Sequence, residues 1–256
     1  MSREARHFHG GDPPAFLTSP FLEQTGLSHL FTTRHFPGIA SPSDAQPLFG
    51  PDAMAILGPR ELAREPVAFL RQVHGADIVV ASSPGRAGAA DVLVTDRPGL
   101  PLAIFTADCL PIIVYDPTHR RLAVVHAGWR GTVRSVAREA AGALIQAGSR
   151  AEDLIAVIGP SIGPCCYEVD RPVIDRLEAA FPGGWDAWVA ARPGARWMLD
   201  LWAANEDQLQ AAGLRPDRIA NLRLCTACRL DLFFSHRRGS RGRLVAVAAV
   251  PAADGA

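Results

Sequence analysis

The apolar positions of the chain fall into many short runs, and only a few carry the three-to-four spacing of a helix. Residues 78–81, 90–95, 102–106, 112–115 and 122–126 are β-branched or aliphatic and predict strands. The turn Asp96-Arg97-Pro98-Gly99 and the polar stretch 116–120 separate neighbouring runs, as in hairpins. Further strands are predicted at 29–33, 155–158, 221–224, 232–235 and 244–250. Three segments read as helices. Val133, Val136, Ala137, Ala140, Leu144 and Ile145 share one helical face over 133–147, with Thr132 as cap and Gly148 as stop. Asp170 caps a second helix that runs to Phe181 with Pro172 in its first turn, and Asp200 caps a third over 201–212, ended by Gly213. A short helix is also expected at 59–70. Residues 1–28 read as a loosely ordered lead-in with one strand near 15–18, and 36–60 as a long Pro/Gly/Ser-rich loop. Short strands outnumber helices and several are adjacent, which predicts a mixed-sheet α+β fold, with 1–256 as a single domain.

Composition narrows the function classes. A hydrophobic share of 48% with 20% charged residues is that of a folded protein with a sizeable core. The formal net charge is zero, which argues against a nucleic-acid partner. All 26 basic residues are arginine, so no lysine Schiff base is available to a mechanism. The N-terminal MSREARHFHGGDPP lacks the apolar centre of a signal peptide, and the apolar run 244–253 is about half a membrane span. The expectation is a cytoplasmic protein with no membrane partner. Five cysteines, an odd number, then read as reduced thiols available as ligands or nucleophiles.

Three segments place a soft-metal ligand at an element boundary: Arg71-Gln72-Val73-His74-Gly75, Thr106-Ala107-Asp108-Cys109-Leu110-Pro111, and Val125-His126-Ala127-Gly128-Trp129-Arg130-Gly131-Thr132. His74 and Cys109 are 35 residues apart (109 − 74), and Cys109 and His126 are 17 apart (126 − 109). Those gaps are too long for a zinc finger and suit a site assembled from separate strands. Two imidazoles and a thiolate leave one tetrahedral position open, the pattern of a catalytic zinc site. Taken singly, a histidine at a strand end is more often structural and an apolar-flanked cysteine more often inert. The third segment adds weight, because its glycines and Arg130 mark a strand-to-helix turn suited to an anion. Cys109, Asp108 and Arg130 are therefore the candidates for catalysis. Arg34, Gln72, Gly128, Gly131, Thr132 and His236 are the candidates for holding substrate or phosphate. Cys165, Cys166, Cys225 and Cys228 could form a structural zinc site. A single CxxC beside an adjacent pair is a weak signal, and they read mainly as structural thiols. The H-x-E of a zinc deaminase is missing.

Together these segments resemble the YfiH-type family, also described as multicopper polyphenol oxidase (laccase-like) proteins or purine nucleoside phosphorylases. The matching stretches are FTTR (31–34), RQVHGAD (71–77), TADCLPI (106–112), VVHAGWRGT (124–132), IGPSIGPCCYEV (158–169) and LCTACRLDLFFSHRR (224–238). The resemblance implies zinc on His74, Cys109 and His126 and a sandwich-like core of mixed sheets flanked by helices. It also implies phosphorolysis of adenosine, inosine and methylthioadenosine, with small-molecule nucleoside and phosphate as partners; adenosine deamination is attributed to the family too. Some bacterial members are described instead as peptidoglycan editing factors acting as amidases. After FTTR this chain lacks the GGVS-like and SLNLG-like stretches of many members, so a pocket lined by 35–60 would select differently.

Four readings follow. The first is a zinc-dependent phosphorylase with phosphate near Arg130. The second is an amidase with Cys109 and His126 as nucleophile and base. The third, a copper laccase, needs many more histidines than the eight present, and copper in a preparation would reflect its strong binding to any N/S site. The fourth, a non-catalytic zinc protein, would need a closed set of four ligands.

Overall fold

A computed structural model of the chain describes residues 6–39 and 48–252. The strands β1 (His7–His9) and β2 (Phe16–Thr18), helix α1 (Pro20–Glu23) and β3 (Ser28–Thr32) precede helix α2 (Pro51–Leu57). A run of strands follows: β4 (Ala68–Arg71), β5 (Ile78–Val80), β6 (Gly85–Ala89), β7 (Val92–Thr95), β8 (Pro101–Thr106), β9 (Leu110–Asp116) and β10 (Arg121–Ala127). Helices α3 (Trp129–Val133) and α4 (Val136–Gln146) lead to β11 (Ile155–Ile158) and β12 (Glu168–Asp170). Helix α5 (Arg171–Ala180), β13 (Val189–Arg192), β14 (Arg196–Leu199), helix α6 (Leu201–Ala211), β15 (Ile219–Asn221) and β16 (Leu244–Ala249) complete the order.

Among the described residues the strands form a seven-stranded sheet, β1-β2-β3-β16-β8-β4-β6, a six-stranded sheet, β15-β11-β9-β10-β7-β5, and a small sheet, β12-β14-β13. Both large sheets are mixed: β4 runs parallel to β6 and β8, β5 to β7, and β11 to β15. Alternation along the strands divides the core into layers. Leu102 and Ile104 of β8 meet Ile113, Leu122 and Val124 of the other sheet in one apolar cluster. Ala103 and Phe105 point the other way, toward Ala53 and Leu57 of α2. Ala123 and Val125 of β10 turn to the opposite face, under Val136, Ala140 and Leu144 of α4. The architecture is thus an α+β sandwich of mixed sheets with helices on its outer faces, as the strand-rich pattern predicts.

Several elements differ from the sequence expectation. The described part of the lead-in, 6–28, carries β1, β2 and α1, because Phe16 and Leu17 are core residues and β2 pairs with β3; residues 1–5 lie outside the described residues. The expected loop 36–60 contains α2, opened by Gly50-Pro51, while 40–47 lie outside the described residues. The helix expected over 59–70 is replaced by a 3-10 turn and then β4, since Ala68 and Phe69 pair with β8. The helix expected over 133–147 starts earlier, at Trp129, and is broken at Ser135, whose φ is 59°. Thr132 is therefore not a cap. It is buried, its Oγ1 accepts from Asn205 and its carbonyl from Gln208, both on α6. The expected strands at 221–224 and 232–235 do not form. The first is displaced to β15, and the second is a turn-rich segment whose Ser235 is drawn to Asp108. By contrast Asp200 caps α6 through the N–H of Ala203, and β11 has the expected bounds. No helix among the described residues is long and apolar enough to cross a membrane.

Asp116, at the end of β9, shows how a turn is held. Its buried carboxylate accepts the N–H groups of Thr118 and His119 and bonds the His119 ring at 2.8 Å. Burial pushes its carboxyl up, but Ser149 and these donors outweigh that and hold it below the ordinary 3.8. Asp116→Ala is expected to lose about 1–3 kcal/mol of stability at neutral pH, measured by urea denaturation. A carboxyl depressed in the folded state contributes above its unfolded value, so the gap between wild type and variant should close as pH falls below 3.8.

Candidate metal centre and active-site cleft

The three candidate ligands come from three chain reversals on the two large sheets. His74 lies just past β4, in a left-handed conformation with φ of 60°. Cys109 sits in the link from β8 to β9, after Asp108, whose φ is 92°. His126 belongs to β10, one turn before α3. The ligand atoms of all three lie within 4.8 Å of one another, near the spacing of about 3.3–3.8 Å that a shared tetrahedral ion imposes on N and S donors. The imidazoles of His74 and His126 meet edge to face, with centroids 4.8 Å apart.

One carboxylate organises this cluster. Asp91 is fully buried at the foot of β7, and its Oδ1 bonds His126 Nδ1 at 2.7 Å. The same carboxylate accepts the backbone N–H groups of Val73, His74 and Gly75 at 3.2, 3.0 and 2.5 Å. Its carbonyl also takes the His126 N–H. Asp91 thus fixes the His126 ring so that Nε2 faces the cluster, and it holds the turn that presents His74. Burial pushes the Asp91 carboxyl up, but the His126 and Gly75 bonds outweigh it and hold it below its ordinary value. Burial pushes His126 down, while Asp91 and Cys109 raise it to about 9. Burial likewise pushes the Cys109 thiol up, and the two imidazoles bring it to about 6. Before any ion binds, these opposed shifts favour a thiolate on Cys109 and a proton on His126.

The cradle is tight at Gly128: a Cβ there would lie 3.0 Å from Cys109 Sγ and 3.3 Å from His74 Cδ2 and would push on both side chains. Two imidazole nitrogens and one easily ionised thiol, oriented by a buried carboxylate, fit a single zinc or copper ion.

The cluster opens into a cleft of 630 Å³, within the size range of small-molecule sites. Gln72, Asp108, Gly128, Arg130 and His236 line it alongside the three ligands. Their roles differ. Gln72 pairs both ends of its amide with the backbone of Phe105, at 2.7 and 2.8 Å, and so ties β4 to β8. Asp108 accepts from Thr226 Oγ1, Ser235 Oγ and the Arg237 N–H at 2.6, 3.0 and 2.7 Å, which occupies its carboxylate in anchoring two loops. Arg130 lies over the Trp129 ring, 4.5 Å from its centroid.

Three other candidates stand outside the cleft. Arg34 donates to the Leu230 carbonyl and lies over Phe234. Thr132 is buried against α6. Gly131 packs against the His74 turn, where a Cβ would sit 2.9 Å from the Gly75 carbonyl. The described residues of 35–60 do not line the cleft. Sequence reasoning missed Asp91 and the cleft residues Tyr167, Arg237, Arg71 and Arg243. An acidic residue opening an otherwise apolar strand was the available signal for Asp91.

Asp91→Asn keeps the shape of the side chain but weakens its hold on the His126 ring and on the turn. It is expected to weaken the affinity of the cluster for an added metal ion such as zinc by about 10–100-fold, measured by competition with a chromogenic chelator.

A family profile described as multi-copper polyphenol oxidoreductase laccase matches residues 54–251. The purine nucleoside phosphorylase YlmD of Geobacillus stearothermophilus is 37% identical over 222 residues, covering 77% of this chain and 79% of its own length. A purine nucleoside phosphorylase of Deinococcus radiodurans is 38% identical over 196 residues, with 75% and 74% covered. Among solved structures, YlmD from G. stearothermophilus superposes with a TM-score of 0.80 at 29% identity, over 95% of this chain and 98% of that one. The YfiH protein of Bacillus licheniformis gives 0.78 at 30% identity, with 93% and 97% covered. With the profile spanning most of the chain and relatives at 37–38% identity matched over about three quarters of their length, the chain belongs to the YfiH family of multi-copper polyphenol oxidoreductase laccase-type proteins.

Proposed function

We propose that this chain is a zinc-dependent purine nucleoside phosphorylase acting on adenosine, inosine and methylthioadenosine, with adenosine deamination as a side activity. The observation that carries the reading is the His74–Cys109–His126 cluster at the floor of a cleft that also holds Arg71, Arg86, Arg130, Arg237 and Arg243. A ligand-ready metal cluster with several guanidinium groups around it suits a reaction between a neutral nucleoside and a phosphate anion. The names of its relatives point the same way.

In phosphorolysis a phosphate oxygen bonds to the anomeric carbon as the bond from that carbon to the purine nitrogen breaks, and the departing base takes up a proton. His74, Cys109 and His126 would hold the zinc, which would supply Lewis acidity when bound. Arg130 and Arg237 would neutralise and orient phosphate. Tyr167 also lines the cleft; burial raises its hydroxyl well above the usual range, so as a neutral group it would be available to donate to the leaving base. Asp108 would act by position: it ties the loops bearing Thr226 and Arg237 to the turn that carries Cys109.

The thiolate–imidazolium pair supports a second reading, an amidase on peptidoglycan precursors with Cys109 as nucleophile. The two differ in the effect of metal, since Cys109 cannot serve as both ligand and nucleophile. With adenosine as substrate, adenine release that requires phosphate, falls with chelator and vanishes in Cys109→Ala is expected. Amide cleavage that rises on metal removal would replace this reading with the second. Arg130→Ala should raise the KM for phosphate by about 10–100-fold with a smaller effect on the KM for nucleoside. Equal loss for both substrates would remove Arg130 from the phosphate site.

A further inference from the structure

Four of the five cysteines lie outside the cluster just described, and the fold gathers them. Cys165 and Cys166 sit on a turn closed by the N–H groups of Cys166 and Tyr167 on the Gly163 carbonyl. Cys225 and Cys228 sit on a second turn, closed by the N–H groups of Cys228 and Arg229 on the Cys225 carbonyl. Backbone bonds hold the two turns together: Ser161 N–H to Leu224 and Thr226 N–H to Ser161, each at 3.1 Å. The four sulfur atoms all lie within 4.8 Å of one another, although the pairs are about 60 residues apart in sequence.

Their arrangement distinguishes a shared centre from a disulfide. Cys228 Sγ lies 3.5 Å from Cys165 Sγ and 3.4 Å from Cys166 Sγ, so it has no single partner. A disulfide needs one pair at about 2.05 Å. Four sulfurs around one zinc, each about 2.3 Å from it, are separated by about 3.8 Å, close to these distances. Cys225 and Cys228 have the two-residue spacing of a zinc knuckle. The surroundings suit a cluster of thiolates. The Gly163 N–H donates to Cys225 Sγ at 3.3 Å. The Arg238 guanidinium donates to Cys166 Sγ at 3.7 Å and to the Ala227 carbonyl at 3.3 Å, so one cation spans both turns.

We propose that Cys165, Cys166, Cys225 and Cys228 form a second metal site, a tetrathiolate for a thiophilic cation of the zinc class, which braces one wall of the cleft. The placement supplies the bracing role. Tyr167 follows Cys166 and lines the cleft, and Thr226, between Cys225 and Cys228, donates to Asp108 beside Cys109. The site has no histidine and no open position for substrate, so it is structural. It stands on its own geometry and holds whichever reaction the cleft performs.

The test uses the full chain purified under reducing conditions. Zinc should bind at about two ions per chain, falling to about one in Cys165→Ser/Cys228→Ser and to about one in His74→Ala/Cys109→Ala. In the latter variant, X-ray absorption at the zinc edge should show sulfur neighbours alone. Cobalt added to the metal-free wild type, which avoids any folding defect of the variants, should give the thiolate charge-transfer bands of two distinct sites. No zinc in His74→Ala/Cys109→Ala together with a single cobalt site in the wild type would overturn the proposal. So would bound zinc whose neighbours include nitrogen in that variant.

Discussion

The buried carboxylate of Asp91 is the interaction on which the site depends. Four donors from two segments converge on it: the His126 ring and three successive N–H groups of the turn carrying His74. A carboxylate with no solvent exposure is tolerated only because these donors replace its water. The arrangement is reciprocal, since the turn at 73–75 has no ladder partner and would leave its N–H groups unpaired in the protein without Asp91. One residue therefore satisfies a left-handed turn, orients the ring of His126 and brings two candidate ligands from different sheets together.

The layered core makes such convergence possible. Strands β8, β9 and β10 are buried on both faces, and so read as near-continuous apolar runs. Their ends are held by packing on both sides, which gives Cys109 and His126 fixed origins. The helices on the outer face add a second constraint, because Asn205 and Gln208 of α6 grip Thr132 and so anchor the short helix that begins beside Gly128. The floor of the cleft is built from strand ends. Its wall is built from irregular segments around 163–167 and 235–238, joined to the floor through Asp108.

What was legible in the sequence follows from the range of the forces involved. The strand at 155–158 and the helix capped by Asp200 were readable because local patterning and a local cap decide them. That His74, Cys109 and His126 come together was readable because their residue types are restrictive and each stood at an element boundary. The break at Ser135 was not, since no local pattern marks it and the neighbouring Thr132 is bonded by α6, more than 70 residues away. For the same reason 232–235 read as a strand, whereas Ser235 is committed to Asp108. The small sheet β12-β14-β13 carries few buried residues and left almost no apolar pattern to detect. Asp91 and Tyr167 matter through tertiary partners that no spacing rule encodes.

The split between a floor of strand ends and a wall of loops bears on how this scaffold can change over time. A substitution in the floor disturbs buried hydrogen bonds and both faces of a sheet, so its cost is structural before it is chemical. A substitution at Tyr167, His236 or Arg237 alters what is accommodated above the cluster and leaves the Asp91 network as it is. Descendants of one ancestor can therefore keep the same reactive centre while diverging in what they process, and the floor is the slower clock of the two.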